Sequence, residues 1–185
     1  KFFYDALGSR LFDAITQLQA YYPTRTEAEL LQWHGQDIAR AVREATGQAP
    51  VLVDLGAGNC AKAARLFGLL DPRCYVAVDI SVEFLRQALQ CLQREHPQRD
   101  LVGLGLDFSS GFALPPGLPG VGDSPRLVFY PGSSIGNFAP QEARRLLNDM
   151  RGASAGGAIL VGVDLAKDRQ VLQAGLSQLT ANGVQ

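Results

Sequence analysis

Histidine is scarce in this 185-residue chain, cysteine is odd in number, and methionine and tryptophan occur once each. His34 and His96 are the only histidines; the first sits in a helical pattern and the second in a polar run. Both read as surface or packing residues rather than as a base or a ligand. Cys60, Cys74 and Cys91 form no Cys-x-x-Cys pair, which argues against a disulfide framework or a zinc site. No metal site is expected, and a reducing cytoplasm is the simpler setting. Basic excess is also lacking: 17 Lys and Arg against 18 Asp and Glu give a formal charge of −1, so a nucleic-acid footprint is excluded. No apolar run approaches the roughly 20 residues of a membrane span. The first residue is Lys1, and no signal-peptide pattern follows it.

What is present is an α/β pattern, with 46% apolar residues and 20 glycines. The first fifty residues read as helical. Ser9 can cap a helix carrying Leu11, Phe12, Ile15 and Leu18. A second helix is expected from about Glu27 to a stop at Gly47, with Thr24 and Thr26 as capping-box residues. Leu31, Ile38, Val42 and Ala45 would face its core. From Val51 the period changes to apolar runs of strand length at 51–55, 75–80, 101–108, 126–130 and 158–165. Helical patterns lie between several of them, one with Phe84, Leu85, Ala88, Leu89 and Leu92 on one face. Another has Pro140 as its first residue. Such alternation predicts a three-layer αβα fold with a mainly parallel sheet covered on both faces. Residues 114–125 are too rich in Pro and Gly for regular structure. The last strand is long, apolar and without edge-protecting charges, so a partner or a further segment is expected to cover it.

Glycines in the stretch Asp54-Leu-Gly56-Ala-Gly58-Asn-Cys-Ala61 end the first strand and open a helix, as a backbone approaching a nucleotide requires. Asp79, at the end of the second strand, suits the two hydroxyls of a ribose. Asp107 and Phe108, at the end of the third, suit an adenine, the acid accepting from its amino group and the ring packing on its face. Each feature alone reads equally as a tight turn, a helix cap or a solvated acid. Together, at the carboxyl ends of consecutive parallel strands, they point to a nucleotide site, with NAD and S-adenosylmethionine both admitted. On spacing alone, Lys62 is a solvated helix residue. The run FYPGSSIGNF at 129–138 then leaves a core strand for a loop of glycines and hydroxyls, more than a connector needs. Asn137 in it reads either as a ligand-binding carboxamide or as the cap of the helix at Pro140.

With these residues placed, the chain resembles the S-adenosylmethionine-dependent L-histidine Nα-methyltransferases of ergothioneine biosynthesis. The matching stretches are FFYDALGSRLFDAIT (2–16), YYPTRTE (21–27), DLGAGNCAK (54–62), VDIS (78–81), LDF (106–108), PGSSIGNF (131–138) and GVDLAKD (162–168). The glycine loop is shared by many nucleotide folds, whereas YYPTRTE, PGSSIGN and DLAKD in this order are specific. The resemblance implies a Rossmann-like class I methyltransferase with S-adenosylmethionine as cofactor. It implies cofactor contacts from Gly56, Gly58, Lys62, Asp79, Asp107 and Phe108. Tyr21 and Asn137, with Tyr4 close by, would contact a small amino-acid substrate, histidine. Residues 1–47 would then form a helical segment contributing to the substrate site, and 48–185 the cofactor-binding core. The resemblance fades after Asp168, where Leu176 stands in the simplest register for a substrate-holding tyrosine of the family. Family members also continue into a substrate-covering domain, so a fragment of a longer protein is expected. A methyltransferase with another amine acceptor, a non-catalytic nucleotide-binding module and an NAD-dependent oxidoreductase are the rival readings.

Overall fold

A computed structural model of the chain describes residues 21–47, 49–109 and 111–166, together with 8, 11 and 14–16. The expectations for Tyr4, for Ser9, Phe12 and Leu18, for Asp168 and for Leu176 lie outside the described residues. Five parallel strands are present among the described residues: β1 (Val51–Leu55), β2 (Cys74–Asp79), β3 (Asp100–Gly105), β4 (Arg126–Tyr130) and β5 (Ala158–Val161). Their order in the sheet is β3-β2-β1-β4-β5. Four α-helices with both ends among the described residues accompany them: α1 (Pro23–Thr46), α2 (Ala61–Leu70), α3 (Val82–Glu95) and α4 (Pro140–Ala153); the described residues 8, 11 and 14–16 are helical as well.

Every residue of β1 is buried, because the strand is flanked on both sides and covered on both faces. Alternation along the strands splits the apolar runs between two cores. Leu52, Tyr75, Ala77, Leu127 and Phe129 pack under α1, α2 and α3. Val51, Val53, Val76, Val128 and Tyr130 pack under α4 and the Pro-rich loop, through Leu146, Met150, Phe112 and Val121. The predicted three-layer αβα architecture is therefore present, with an irregular loop covering part of one face.

Several boundaries differ from the sequence reading, each for a local reason. Helix α1 begins at Pro23 rather than Glu27, with Tyr22 as its cap residue and no side-chain cap bond, so Thr24 and Thr26 lie inside the helix. Proline suits that first position because its missing N–H would have no helical partner there. The buried stripe of α1 is Leu31, Gly35, Ala39 and Val42, with Ile38 half-buried and Ala45 exposed. At Gly35 the helix lies so close to α2 that an added Cβ would sit 2.6 Å from Leu69 Cδ1. Gly47, at φ +78°, ends α1 as expected. Strand β3 stops at Gly105, opposite Asp79, because β2 ends there; Asp107 and Phe108 lie just beyond the sheet. Strand β5 stops opposite Tyr130: the Gly162 N–H still donates to the Tyr130 carbonyl, but the Gly132 N–H that would continue the ladder on that side goes to Glu27 Oε1, and the Gly162 carbonyl accepts from Ser133 N–H instead. Strand β5 is also the last strand of the sheet among the described residues, with Ile159 36% exposed.

The two histidines have structural places: His34 is exposed and His96 stacks edge-on against Phe67 at 5.1 Å. No described helix is long and apolar enough to cross a membrane. Burial pushes the Cys60 thiol up to about 12 and raises that of Cys74, while Cys91 is exposed. Thiol titration of the native protein should therefore find one fast-reacting cysteine, and all three after denaturation. Fast modification of a second thiol in the native state would contradict this packing.

Candidate cofactor and acceptor site

The glycine loop after β1 is anchored on the next strand. The Gly56 and Ala57 N–H groups both donate to the Val78 carbonyl, at 2.8 and 3.1 Å. Gly56 and Gly58 adopt φ of +70° and +54°, a left-handed backbone that costs glycine little. Space in front of the loop is open, since a Cβ at Gly58 would meet only the Gly56 carbonyl oxygen, at 4.0 Å. The Asp79 carboxylate accepts from Gly58 N–H at 3.0 Å and from Ser81 N–H at 2.9 Å. It thus fixes the loop and the start of α3 together. A carboxylate has about four lone-pair sites, so these two bonds leave acceptor capacity for a diol.

Phe108 is half-buried, edge-on to Tyr130 with centroids 5.8 Å apart, and its Cζ lies 3.7 Å from where a Gly56 Cβ would be. Its ring therefore borders the glycine loop. Asp107 is exposed beside it and accepts from Ser109 N–H at 2.9 Å. Gly56, Gly58, Asp79 and Phe108 are brought together at the carboxyl edge of the sheet, with Asp107 next to them. This donor and acceptor set, with an aromatic face, fits an adenosine group.

Lys62 departs from the solvated role that spacing alone assigned to it. Its Nζ pairs with Glu27 of α1 at 2.7 Å, and both side chains are largely buried. Glu27 Oε1 also accepts from Gly132 N–H at 2.7 Å, at the start of the loop after β4. That loop is further tied to the chain after β5: Ser133 N–H donates to the Gly162 carbonyl at 3.1 Å, and Asp164 N–H to Ser133 Oγ at 2.9 Å. Tyr22 donates its hydroxyl hydrogen to Asp164. Asn137 ends a short 3-10 turn, Ser134–Asn137, and is exposed. It does not cap α4, whose cap residue is Ala139 with its N–H bonded to Glu142. No hydrogen bond to the Asn137 carboxamide is found among the described residues. Tyr21 is half-buried, and burial, then Glu27 and Asp164, raise its phenol above the usual range.

Residues 1–178 match the model of a family described as histidine-specific, S-adenosylmethionine-dependent methyltransferases. The chain belongs to this family. A histidine N-alpha-methyltransferase of Mycolicibacterium smegmatis is 35% identical over 173 residues, covering 91% of this chain and 51% of the relative. A 4-dimethylallyltryptophan N-methyltransferase of Claviceps purpurea is 29% identical over 176 residues, covering 89% and 50%. The chain thus spans about half the length of these curated relatives. Among solved structures, a Methanococcus maripaludis protein described as a candidate S-adenosylmethionine-dependent methyltransferase aligns with a TM-score of 0.53 at 17% identity, covering 97% of this chain and 73% of that one. That likeness bears out the class I methyltransferase fold.

Three further residues acquire their place only in the folded chain. Glu27 reads in sequence merely as a helix-start acid, and Asp164 as part of a matching stretch. Asp54 carries the one signal that was available: an acid inside the apolar run VLVDL. It is 1% exposed, accepts the Tyr75 hydroxyl hydrogen at 2.7 Å, and its Oδ1 has no partner among the described residues. Burial raises its pKa to about 7, against the lowering effects of Tyr75 and Lys62. A carboxyl raised on folding binds its proton more tightly in the native state, so native stability falls as pH rises from the unfolded pKa to the folded one. The burden is absent below pH ~4 and complete above about 7. Asp54→Asn should therefore gain thermal stability relative to the parent between those limits, followed by melting scans at stepped pH. A difference that stays flat with pH would rule out this assignment.

Proposed function

We propose that the protein transfers methyl groups from S-adenosylmethionine to the α-amine of L-histidine, up to the trimethyl betaine. The observation that carries this reading is the family match over nearly the whole chain, joined to an adenosine-compatible edge and a nearby loop bearing Asn137. In this reading Gly56, Gly58, Lys62, Asp79, Asp107 and Phe108 hold the cofactor. Tyr4, Tyr21 and Asn137 hold the amino acid, so residues 1–47 contribute to the substrate site, while 48–185 form the cofactor-binding core and also bring Asn137 to the acceptor.

When bound, the cofactor supplies a methyl group activated on a positive sulfur. The chain's task is then to align the amine lone pair behind that carbon, and positioning of this kind can supply several kcal/mol of the barrier reduction. Asn137 offers both a donor and an acceptor for the amino acid's amine or carboxylate. The amine, with a free pKa of about 8, must be neutral before each transfer. Tyr21, its phenol raised by burial and two neighbouring acids, stays protonated near neutrality and acts as a hydrogen-bonding group rather than as a base. The proton passes to a carboxylate or to water. A growing quaternary ammonium would be accommodated by tyrosine faces through cation–π attraction.

A second acceptor reading has one specific support, the 29% identity to a relative named for a substituted tryptophan. Mass spectrometry of the full-length protein with S-adenosylmethionine and parallel amino acids distinguishes the two. One, two and three added methyl groups on histidine alone are expected; methylation of tryptophan-type amines instead would replace the acceptor and keep the reaction.

Asn137→Ala should abolish histidine binding while leaving S-adenosylhomocysteine binding within about two-fold, as calorimetry would report. Equal loss of both ligands would mean folding damage and no acceptor role.

A further inference from the structure

The four segments that meet at Glu27 come from distant parts of the chain. Its Oε2 pairs with Lys62 in the first turn of α2, and its Oε1 takes the Gly132 N–H, 105 residues away in sequence. A cation in the first turn of a helix opposes the helix dipole, so Lys62 stands where a nearby carboxylate is favourable. The glycines around it are shaped by the same contact. A Cβ at Gly132, whose φ is +80°, would lie 2.9 Å from Lys62 Nζ. At Gly162 an added Cβ would collide with Glu27 Oε1 and crowd the Gly132 nitrogen at 3.2 Å. Gly162 in turn bonds the end of β4, through its N–H to the Tyr130 carbonyl at 3.0 Å.

We propose that Glu27 is a positioning residue with two separable duties: one carboxylate oxygen holds Lys62 at the cofactor loop, and the other holds Gly132 and hence the loop that carries Asn137. This deepens the methyl-transfer reading above and rests on it. Helix α1, which begins two residues after Tyr21, thereby shares one anchor with the cofactor side and the acceptor side. Glu27 acts through these neighbours and is assigned no contact with the reacting atoms.

The two duties can be parted by substitution. Glu27→Gln keeps an acceptor for Gly132 N–H and loses the charge facing Lys62. Glu27→Ala loses both. In the full-length protein, Glu27→Gln should weaken S-adenosylhomocysteine binding about ten-fold by calorimetry, and in a Lys62→Met background the same change should have less than about a two-fold effect. At saturating S-adenosylmethionine, Glu27→Ala should raise the histidine KM about ten-fold above that of Glu27→Gln, because only the alanine frees the Gly132 loop. Unchanged binding in Glu27→Gln would overturn the proposal. So would an effect that persists in full without Lys62, equal KM values for the two variants, or a lower melting temperature with both constants unmoved. A parent protein that binds S-adenosylhomocysteine yet methylates no amino acid would remove the methyl-transfer reading instead, and the binding cycle would still decide whether Glu27 works through Lys62.

Discussion

The parallel pairing of β1 with both β2 and β4 is the constraint on which the site depends. Parallel strands send every carboxyl end to the same edge of the sheet, and the chain must leave each end by a crossover. After β1 it passes to α2 on one face, and after β4 to α4 on the other. The two exit loops therefore diverge, and the glycine loop and the 131–137 loop flank the switch point of the sheet, where open α/β folds take their ligands. Asp79 and Phe108 lie on the first side of that point because β2 and β3 extend the sheet in that direction. Asn137 and Asp164 belong to the other side, after β4 and β5.

Charge at this edge is managed by hydrogen bonds more than by counterions. Asp79 is satisfied by two backbone N–H groups, and Asp164 accepts from the Tyr22 hydroxyl. Asp54, deeper in the sheet, has a single hydroxyl donor and pays for its burial with a raised pKa. Lys62 relieves two acids at once, Glu27 by pairing with it and Asp54 by lowering the cost of its ionisation. A buried ion pair gains little net stability once desolvation is counted, and its better-attested role is to specify an arrangement. Here the arrangement specified is the approach of α1 to the loops after β4 and β5.

The sheet was legible because its signal is local. Five apolar runs with turn residues between them identify five strands, and Gly47 and Pro140 mark real helix ends through backbone geometry that no distant contact can alter. Endings that depend on a neighbour were not legible: Asp107 and Phe108 leave the sheet because β2 runs out beside them, and β5 ends where the Gly132 N–H turns to Glu27 instead of continuing the ladder. Ala45 falls at the margin of the buried stripe of α1, and the next residue, Thr46, is the half-buried one. Lys62 shows the limit most clearly. Nothing in its own surroundings separates a solvated lysine from a paired one, since its partner is supplied by a different helix. Asp54 was the converse case, a charge in an apolar run whose oddity was visible while its hydrogen bond to Tyr75 was not.

The loop that follows β4 is richer in small and polar residues than a connector requires, and the fold accounts for most of that richness without chemistry. Pro131 ends the ladder. Gly132 leaves room for Lys62 and gives its N–H to Glu27. Ser133 takes a left-handed conformation and bonds the chain beyond β5 from both its backbone and its hydroxyl. Gly136 N–H closes the 3-10 turn on the Ser133 carbonyl. Once these duties are removed, Asn137 is left exposed at the end of a turn that is braced on three sides, with its side chain given no bond by the described residues. A carboxamide that its own loop leaves unused suits the acceptor role proposed for it, and the bonds of Gly132 and Ser133 tie that loop to Glu27 and to the chain beyond β5.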